Sequence, residues 1–255
     1  MRLELENVRA GYGSLEVLRG IDLVVPDGAA VALLGANGAG KTTTLRVCAG
    51  LLHPSAGVVR LDGRELDGAR PSARTREGLC LIPEGRAIFR RLTVRQNIAM
   101  QVGGRTIKAA LEKAAAFFPI LGQRMDQLAG TLSGGEQQML AVARALVTDA
   151  RLVMADELSV GLAPIIVDVI FDAVRALRSE GRSLLIVEQY IERALDLADY
   201  VYVLHKGTVV FVGEPSQARS GDVLRHYLGS EAGETADLPV RAARRARRKS
   251  GAADA

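Results

Sequence analysis

The chain has 255 residues, 48% of them apolar but only 4% aromatic, with no tryptophan, so a sizeable core is available but must be built from aliphatic side chains. The formal charge of +4 is local: Arg241, Arg244, Arg245, Arg247, Arg248 and Lys249 face one acid, Asp254, near the end, and residues 1–238 carry a net −1. This excludes a basic nucleic-acid face spread over the body of the protein, and no apolar run approaches the roughly 20 residues of a membrane span.

Met1-Arg2-Leu3-Glu4 alternates like a strand and lacks the apolar core of a signal peptide. Residues 3–8 and 15–25 alternate as half-buried antiparallel strands, with Gly11-Tyr12-Gly13-Ser14 as the turn. The apolar run 29–34, bounded by Asp27-Gly28 and Gly35, predicts a central parallel strand. A helix follows from about Gly40 to Leu51, then strands at 57–62 and 79–82.

From Glu84 to Val147 β-branched runs vanish and helical periods appear at 93–102, 105–118 and 134–147. This predicts a helical subdomain, about 85–147, inserted into an α/β core. The core resumes with strand 151–156, helix 164–179, strand 183–188, helix 190–198 and a strand pair, 200–205 and 208–213, about Lys206-Gly207. Short helices near 215–228 close a domain of residues 1–230. Residues 231–255 have almost nothing to bury and are expected to be a disordered basic tail, either a solvated extension or a contact for anionic lipid or nucleic acid. Cys48 and Cys80, without CxxC spacing, are expected to be free thiols in a reducing compartment.

Three motifs carry chemistry. Gly35-Ala36-Asn37-Gly38-Ala39-Gly40-Lys41-Thr42 joins a buried strand to a helix, where backbone N–H groups and the helix N-terminus favour a phosphate. Lys41 is expected to reach the β- and γ-phosphates, Thr42 to ligate Mg²⁺, and Thr43 to touch the α-phosphate. Leu152-Val153-Met154-Ala155-Asp156-Glu157 ends a strand in two acids: Asp156 is expected beside the loop of the neighbouring strand, holding Mg²⁺ through water, and Glu157 to orient the attacking water. Leu132-Ser133-Gly134-Gly135-Glu136-Gln137-Gln138 opens a helix and forms a second anion corner, which one chain does not need for one phosphate. Tyr12 is either a turn residue or a ring that stacks on a base.

Over residues 3–229 this set resembles the ATP-binding cassette ATPases, P-loop NTPases with a mostly parallel sheet, an antiparallel β subdomain and an inserted helical subdomain. The resemblance implies that Ser133, Gly134, Gly135 and Glu136 bind the γ-phosphate held by an opposite subunit, and that Tyr12 stacks on adenine. Glu136 stands where most members have glutamine. Three departures are more specific: Glu84, in Ile82-Pro83-Glu84-Gly85-Arg86, replaces a glutamine that links Mg²⁺ to the transporter; Gln189 replaces a γ-phosphate histidine; and Glu157-Leu158-Ser159-Val160-Gly161-Leu162-Ala163-Pro164 replaces the usual run after the glutamate.

Together these segments resemble the second ATPase subunit of branched-chain amino-acid importers, with urea and short-chain amide importers as near relatives. The resemblance implies ATP and Mg²⁺, a dissimilar ATPase partner (or a second copy in isolation), two membrane permeases and an extracytoplasmic binding protein, on the cytoplasmic side of a bacterial plasma membrane. It implies that the segment near 84–120 meets the permease, with Phe89, Phe117 and Phe118 as contacts or, for the adjacent pair, as core. Gln189 cannot donate a charged hydrogen bond, so the site on Lys41 and Glu157 is expected to turn over weakly. Glu84 is expected near Mg²⁺. The other readings are an exporter ATPase, disfavoured by Glu84 and Gln189, and a cassette ATPase acting on nucleic acid, favoured only by the basic tail. No specific nucleic-acid partner is expected.

Overall fold

The structure, a computed structural model, describes residues 1–66, 68–102, 106–188 and 190–220. Gln189, the expected helical residues beyond 220 and the 231–255 tail lie outside them.

Strands β1 (Leu3–Tyr12), β2 (Leu15–Val25), β4 (Ala56–Leu61) and β5 (Arg64–Glu65) form an antiparallel sheet in the order β2-β1-β4-β5. The second sheet contains β3 (Ala30–Leu34), β6 (Leu79–Ile82), β7 (Leu152–Asp156), β8 (Ser183–Val187), β9 (Tyr200–His205) and β10 (Thr208–Gly213), in the order β10-β9-β3-β8-β7-β6. Its strands are parallel except β10, which is a hairpin partner of β9. The apolar runs explain this layout. β3, β7 and β8 are buried at every position, as strands covered on both faces must be, whereas β1 alternates buried and exposed residues.

Helix α1 (Lys41–Cys48) lies between the two sheets, and Leu45, Val47 and Cys48 join the core with Leu3, Leu5 and Leu185. The other face of the parallel sheet is covered by α3 (Val94–Ala99), α4 (Ile107–Phe117), α5 (Pro119–Gly122), α6 (Gly134–Leu146) and α7 (Pro164–Ser179), through a core that includes Ile98, Leu121, Leu140 and Phe171. Helices α8 (Ile191–Leu197) and α9 (Pro215–Ser220) close a smaller cluster under β9.

Two of the short elements that escaped the sequence pattern matter for packing. One is the β5 hairpin; the other is α2 (Pro71–Arg76), which has one buried residue, Arg74, and so no apolar period to detect. The Arg74 guanidinium is 1% exposed and donates to the carbonyls of Val47, Cys48, Leu66 and Ala69 at 2.8–3.2 Å, satisfying the C-terminal end of α1. Of the two readings open for the adjacent pair, the core one holds for Phe118, which is 1% exposed; Phe117 packs against the same cluster, and Phe89 is 44% exposed. Cys48 and Cys80 are free thiols, and burial pushes them up to about 12 and about 11. Among the described residues no helix is long and apolar enough to cross a membrane.

Candidate active site

The loop 35–40 connects the buried end of β3 to the first turn of α1. Gly35 passes so close to the Leu204 carbonyl that a Cβ would lie 2.4 Å from its oxygen, whereas a Cβ at Gly38, whose φ is 77°, would meet nothing within 4 Å. One glycine lets the loop pack onto the fold, and the other leaves its outer side open. Lys41, 5% exposed, folds its ammonium back over the loop, donating to the carbonyls of Gly35 at 2.9 Å and Ala36 at 3.2 Å. Its Nζ is also 3.8 Å from Glu157 Oε1. Burial lowers the Lys41 pKa below the ordinary lysine value, against the opposing pull of Glu157 and Asp156.

Asp156 ends β7, but not beside the loop's own strand, because β8 lies between β3 and β7. The expected adjacency is corrected: the first turn of α1, not the neighbouring strand, brings Thr42 Oγ1 to 3.2 Å from Asp156 Oδ1. Burial raises the Asp156 pKa; the Thr42 hydrogen bond opposes this, and the nearby carboxylates of Glu157 and Glu84 reinforce it. Glu84 therefore stands within electrostatic reach of Asp156, although the two are far apart in sequence.

Glu157 has a φ of 51°, a left-handed conformation costly for a non-glycine residue, and its N–H donates to Val187 O at 2.9 Å. This turn lifts its carboxylate off the strand direction and toward Lys41. Buried Ser159 then donates to the Glu188 carboxylate, tying the loop after Glu157 to the end of β8, one residue before Gln189. Tyr12 is 43% exposed, and its hydroxyl accepts from Arg46 at 3.0 Å. Thr43 is buried on α1, and Asn37 is exposed in the loop.

These groups form an anion cradle beside a cluster of carboxylates. Among the described residues no group of three or more His, Cys, Asp and Glu closes a metal site by itself. The pair of Thr42 hydroxyl and Asp156 carboxylate instead suits Mg²⁺, which takes few protein oxygens and completes its shell with water and phosphate.

The second anion corner lies on the surface. Ser133 is exposed and caps α6: its Oγ accepts from Glu136 N at 3.3 Å, and Glu136 Oε2 accepts from Ser133 N at 2.8 Å. Arg124 lies 3.4 Å from the other Glu136 oxygen. Ile120, Met139, Leu162 and Ile166 border the turn in an open groove of about 440 Å³. A glutamate at position 136 is thus a capping residue, which accounts for it locally.

Comparison with known proteins places the chain in a family. Residues 18–160 match the family model described as ABC transporter. The chain belongs to the ABC transporter ATP-binding family. It is 43% identical over 213 residues to the high-affinity branched-chain amino acid transport ATP-binding protein BraG of Pseudomonas aeruginosa, covering 82% of this chain and 91% of that protein. It is 37% identical to a probable branched-chain amino acid transport ATP-binding protein, LivF, of Archaeoglobus fulgidus, covering 84% and 93% of the two chains. Among solved structures, an ATP-binding subunit of an ABC transporter superposes with a TM-score of 0.76 at 25% identity over 92% of this chain and 96% of the other. A bacterial Atm1-family ABC exporter with ATP bound superposes with a TM-score of 0.79 at 27% identity, over 92% of this chain and 42% of the exporter. As a member of this family the chain is an ATP-binding, ATP-hydrolysing subunit.

Sequence reasoning missed the residues that hold these parts together. Arg86 donates to Gln137 on α6, and Arg144, on the same helix face, donates to Ala87 O and stacks over Phe89. Nothing in the spacing of residues 86, 137 and 144 pairs them; the contact exists only once α6 is docked against the loop after β6.

Proposed function

We propose that this ATPase powers a bacterial importer of branched-chain, hydrophobic amino acids. The observation that carries the reading is the likeness to BraG, which extends over 91% of that protein rather than over the ATP loop alone. The departures at Glu84 and Gln189 point to the same subfamily.

In this reading ATP lies on the 35–43 loop, with Tyr12 against adenine and Lys41 and the loop amides on the phosphates. Water attacks the γ-phosphorus while the bond to the bridging oxygen of ADP breaks. Glu157 orients that water and receives its proton; its left-handed backbone and the Lys41 contact fix where the carboxylate points. Lys41 neutralises charge that builds on the phosphoryl oxygens. Thr42 and Asp156 hold Mg²⁺, with Glu84 nearby; when bound, the ion supplies further charge neutralisation. By the family resemblance Gln189 replaces the histidine of the γ-phosphate.

The turn of Ser133, Gly134, Gly135 and Glu136 faces the γ-phosphate of a second ATPase subunit, so two subunits complete two sites. What supports this is the exposure of Ser133 at a helix N-terminus, with its cap already made and its outer side open. Residues 85–147 act as the helical subdomain, and the exposed Phe89 is its contact with two membrane permeases, which hold the chain at the cytoplasmic face of the membrane. An extracytoplasmic binding protein delivers the substrate to them. The test is uptake of labelled leucine and of labelled urea in a strain deleted for this chain. Loss of leucine uptake alone supports the reading, and loss of urea uptake alone rejects it.

A further inference from the structure

We propose that Asn37 is a modification site: without nucleotide its side-chain amide is lost to attack by the backbone nitrogen of Gly38, and nucleotide on the loop suppresses the reaction. The proposal rests on the reading that phosphates lie on the 35–43 loop.

The chain has three asparagines, and the fold treats them differently. Asn97 is buried, donates from its amide nitrogen to the carbonyls of Phe89, Leu92 and Thr93 at 3.0–3.4 Å, and precedes the β-branched Ile98. Asn7 lies within β1, where its Oδ1 sits against Gly20, and precedes the β-branched Val8. Asn37 is exposed and precedes Gly38, itself exposed. These two are the central residues of a turn closed by one backbone hydrogen bond, Ala39 N to Ala36 O at 3.1 Å, with Gly38 at a φ of 77°. Among the described residues nothing hydrogen-bonds the Asn37 amide or the Gly38 N–H. A side chain on the following residue hinders its nitrogen from reaching the asparagine Cγ; Gly38 has none, and a Cβ there would meet nothing within 4 Å, so no packed neighbour restrains the turn.

The Gly38 nitrogen gives its proton to solvent base and attacks Asn37 Cγ. A C–N bond forms there, the bond from Cγ to Nδ2 breaks, and Nδ2 leaves as ammonia after taking a proton from water. Water then opens the five-membered imide at one of its two carbonyls. The product is aspartate at 37 or its isomer, joined to Gly38 through the side-chain carboxyl and one carbon longer in its main chain. Either product sets a carboxylate in a loop whose amides and Lys41 serve anions, and like charge opposes a polyphosphate. With nucleotide bound, loop N–H groups donate to phosphate oxygens, so the turn is held closed against the attack.

The full chain is held at mildly alkaline pH with and without Mg²⁺ and ADP, a nucleotide the chain does not consume, and tryptic digests are followed by mass. Asn37 is the one amide side chain between Arg19 and Lys41, so peptide 20–41 reports it alone, with Asn7 and Asn97 as internal controls. At ADP about 100 times its Kd the free loop is present about one hundredth of the time, so the exchange of amide for acid at 37 is expected to slow by roughly tenfold or more. Without ADP, nucleotide affinity is expected to fall in step with the mass change, by about tenfold or more in the modified fraction, and Asn37→Asp is expected to show that loss from the start. Asn37→Gln, whose longer side chain must close a larger and slower ring, is expected to keep its own starting affinity through the same incubation. No mass change in peptide 20–41 overturns the proposal and leaves the loop's role standing, whereas a change equally fast with ADP bound overturns both. Loss of affinity in Asn37→Gln at the wild-type rate overturns the link between the modification and binding.

Discussion

Replacing Ser133 with asparagine or with aspartate separates a capping role from a role at a neighbour's nucleotide. All three residues are good N-caps, so either change should cost only a few tenths of a kcal/mol in helix stability, against about 1 kcal/mol for alanine. The added charge of aspartate inside the fold is met by Glu136 on one side and by the α6 N-terminus and Arg124 on the other, effects of about 1 kcal/mol or less at an exposed site. Toward a bound γ-phosphate the two variants differ by a full negative charge. At about 4 Å and an effective dielectric constant near 20, unit charges repel by about 4 kcal/mol, roughly a thousandfold in rate. Thermal unfolding of the isolated chain should therefore give closely similar Tm values for both variants. ATPase activity of the assembled transporter should be lower for Ser133→Asp than for Ser133→Asn by two to three orders of magnitude, on the same Coulomb argument. Equal activities of the two variants in the assembled complex would refute the assignment of this turn to a neighbour's phosphate.

Four further outcomes are expected. Arg74→Met leaves buried carbonyls at the end of α1 without a donor and should cost about 3–5 kcal/mol in urea unfolding; a loss under about 1 kcal/mol would show that water replaces the guanidinium. Burial raises the folded-state pKa of Asp156 above its ordinary 3.8, so the folded chain binds that proton more tightly than the unfolded one and stability falls as pH rises through the interval above 3.8. Ligand-free Asp156→Asn should thus unfold at a higher temperature than wild type at neutral pH, lose that advantage below about pH 4, and gain less stability from ATP with Mg²⁺; an advantage independent of pH would contradict this. Glu157→Gln should reduce ATPase activity of the complex less than the matching change in the partner subunit, because Gln189 weakens the site on this chain, and equal losses would reject the asymmetry. Glu84→Gln should shift the Mg²⁺ concentration needed for half-maximal ATPase activity severalfold, and an unchanged titration would remove Glu84 from the ion's surroundings.

The parts of this protein that depend on local chemistry were legible in its residues. A glycine-rich turn between an apolar run and a helix, two acids closing another apolar run, and Ser-Gly-Gly at a helix start each impose their backbone form, and the structure has them at Gly35–Lys41, Asp156–Glu157 and Ser133–Glu136. What the chain order could not convey is which of these face one another. β8 inserts between β3 and β7, so Thr42 meets Asp156 through the first turn of α1 and not through neighbouring strands. Arg74 disappears into the core because its charge is met by carbonyls from two separate segments, 47–48 and 66–69, and Phe118 turns inward into the helical core while Phe89 stays exposed. Short-range hydrogen bonding and apolar runs are written residue by residue, whereas partners such as Arg86 and Gln137, 51 positions apart, are chosen by the packing of whole helices.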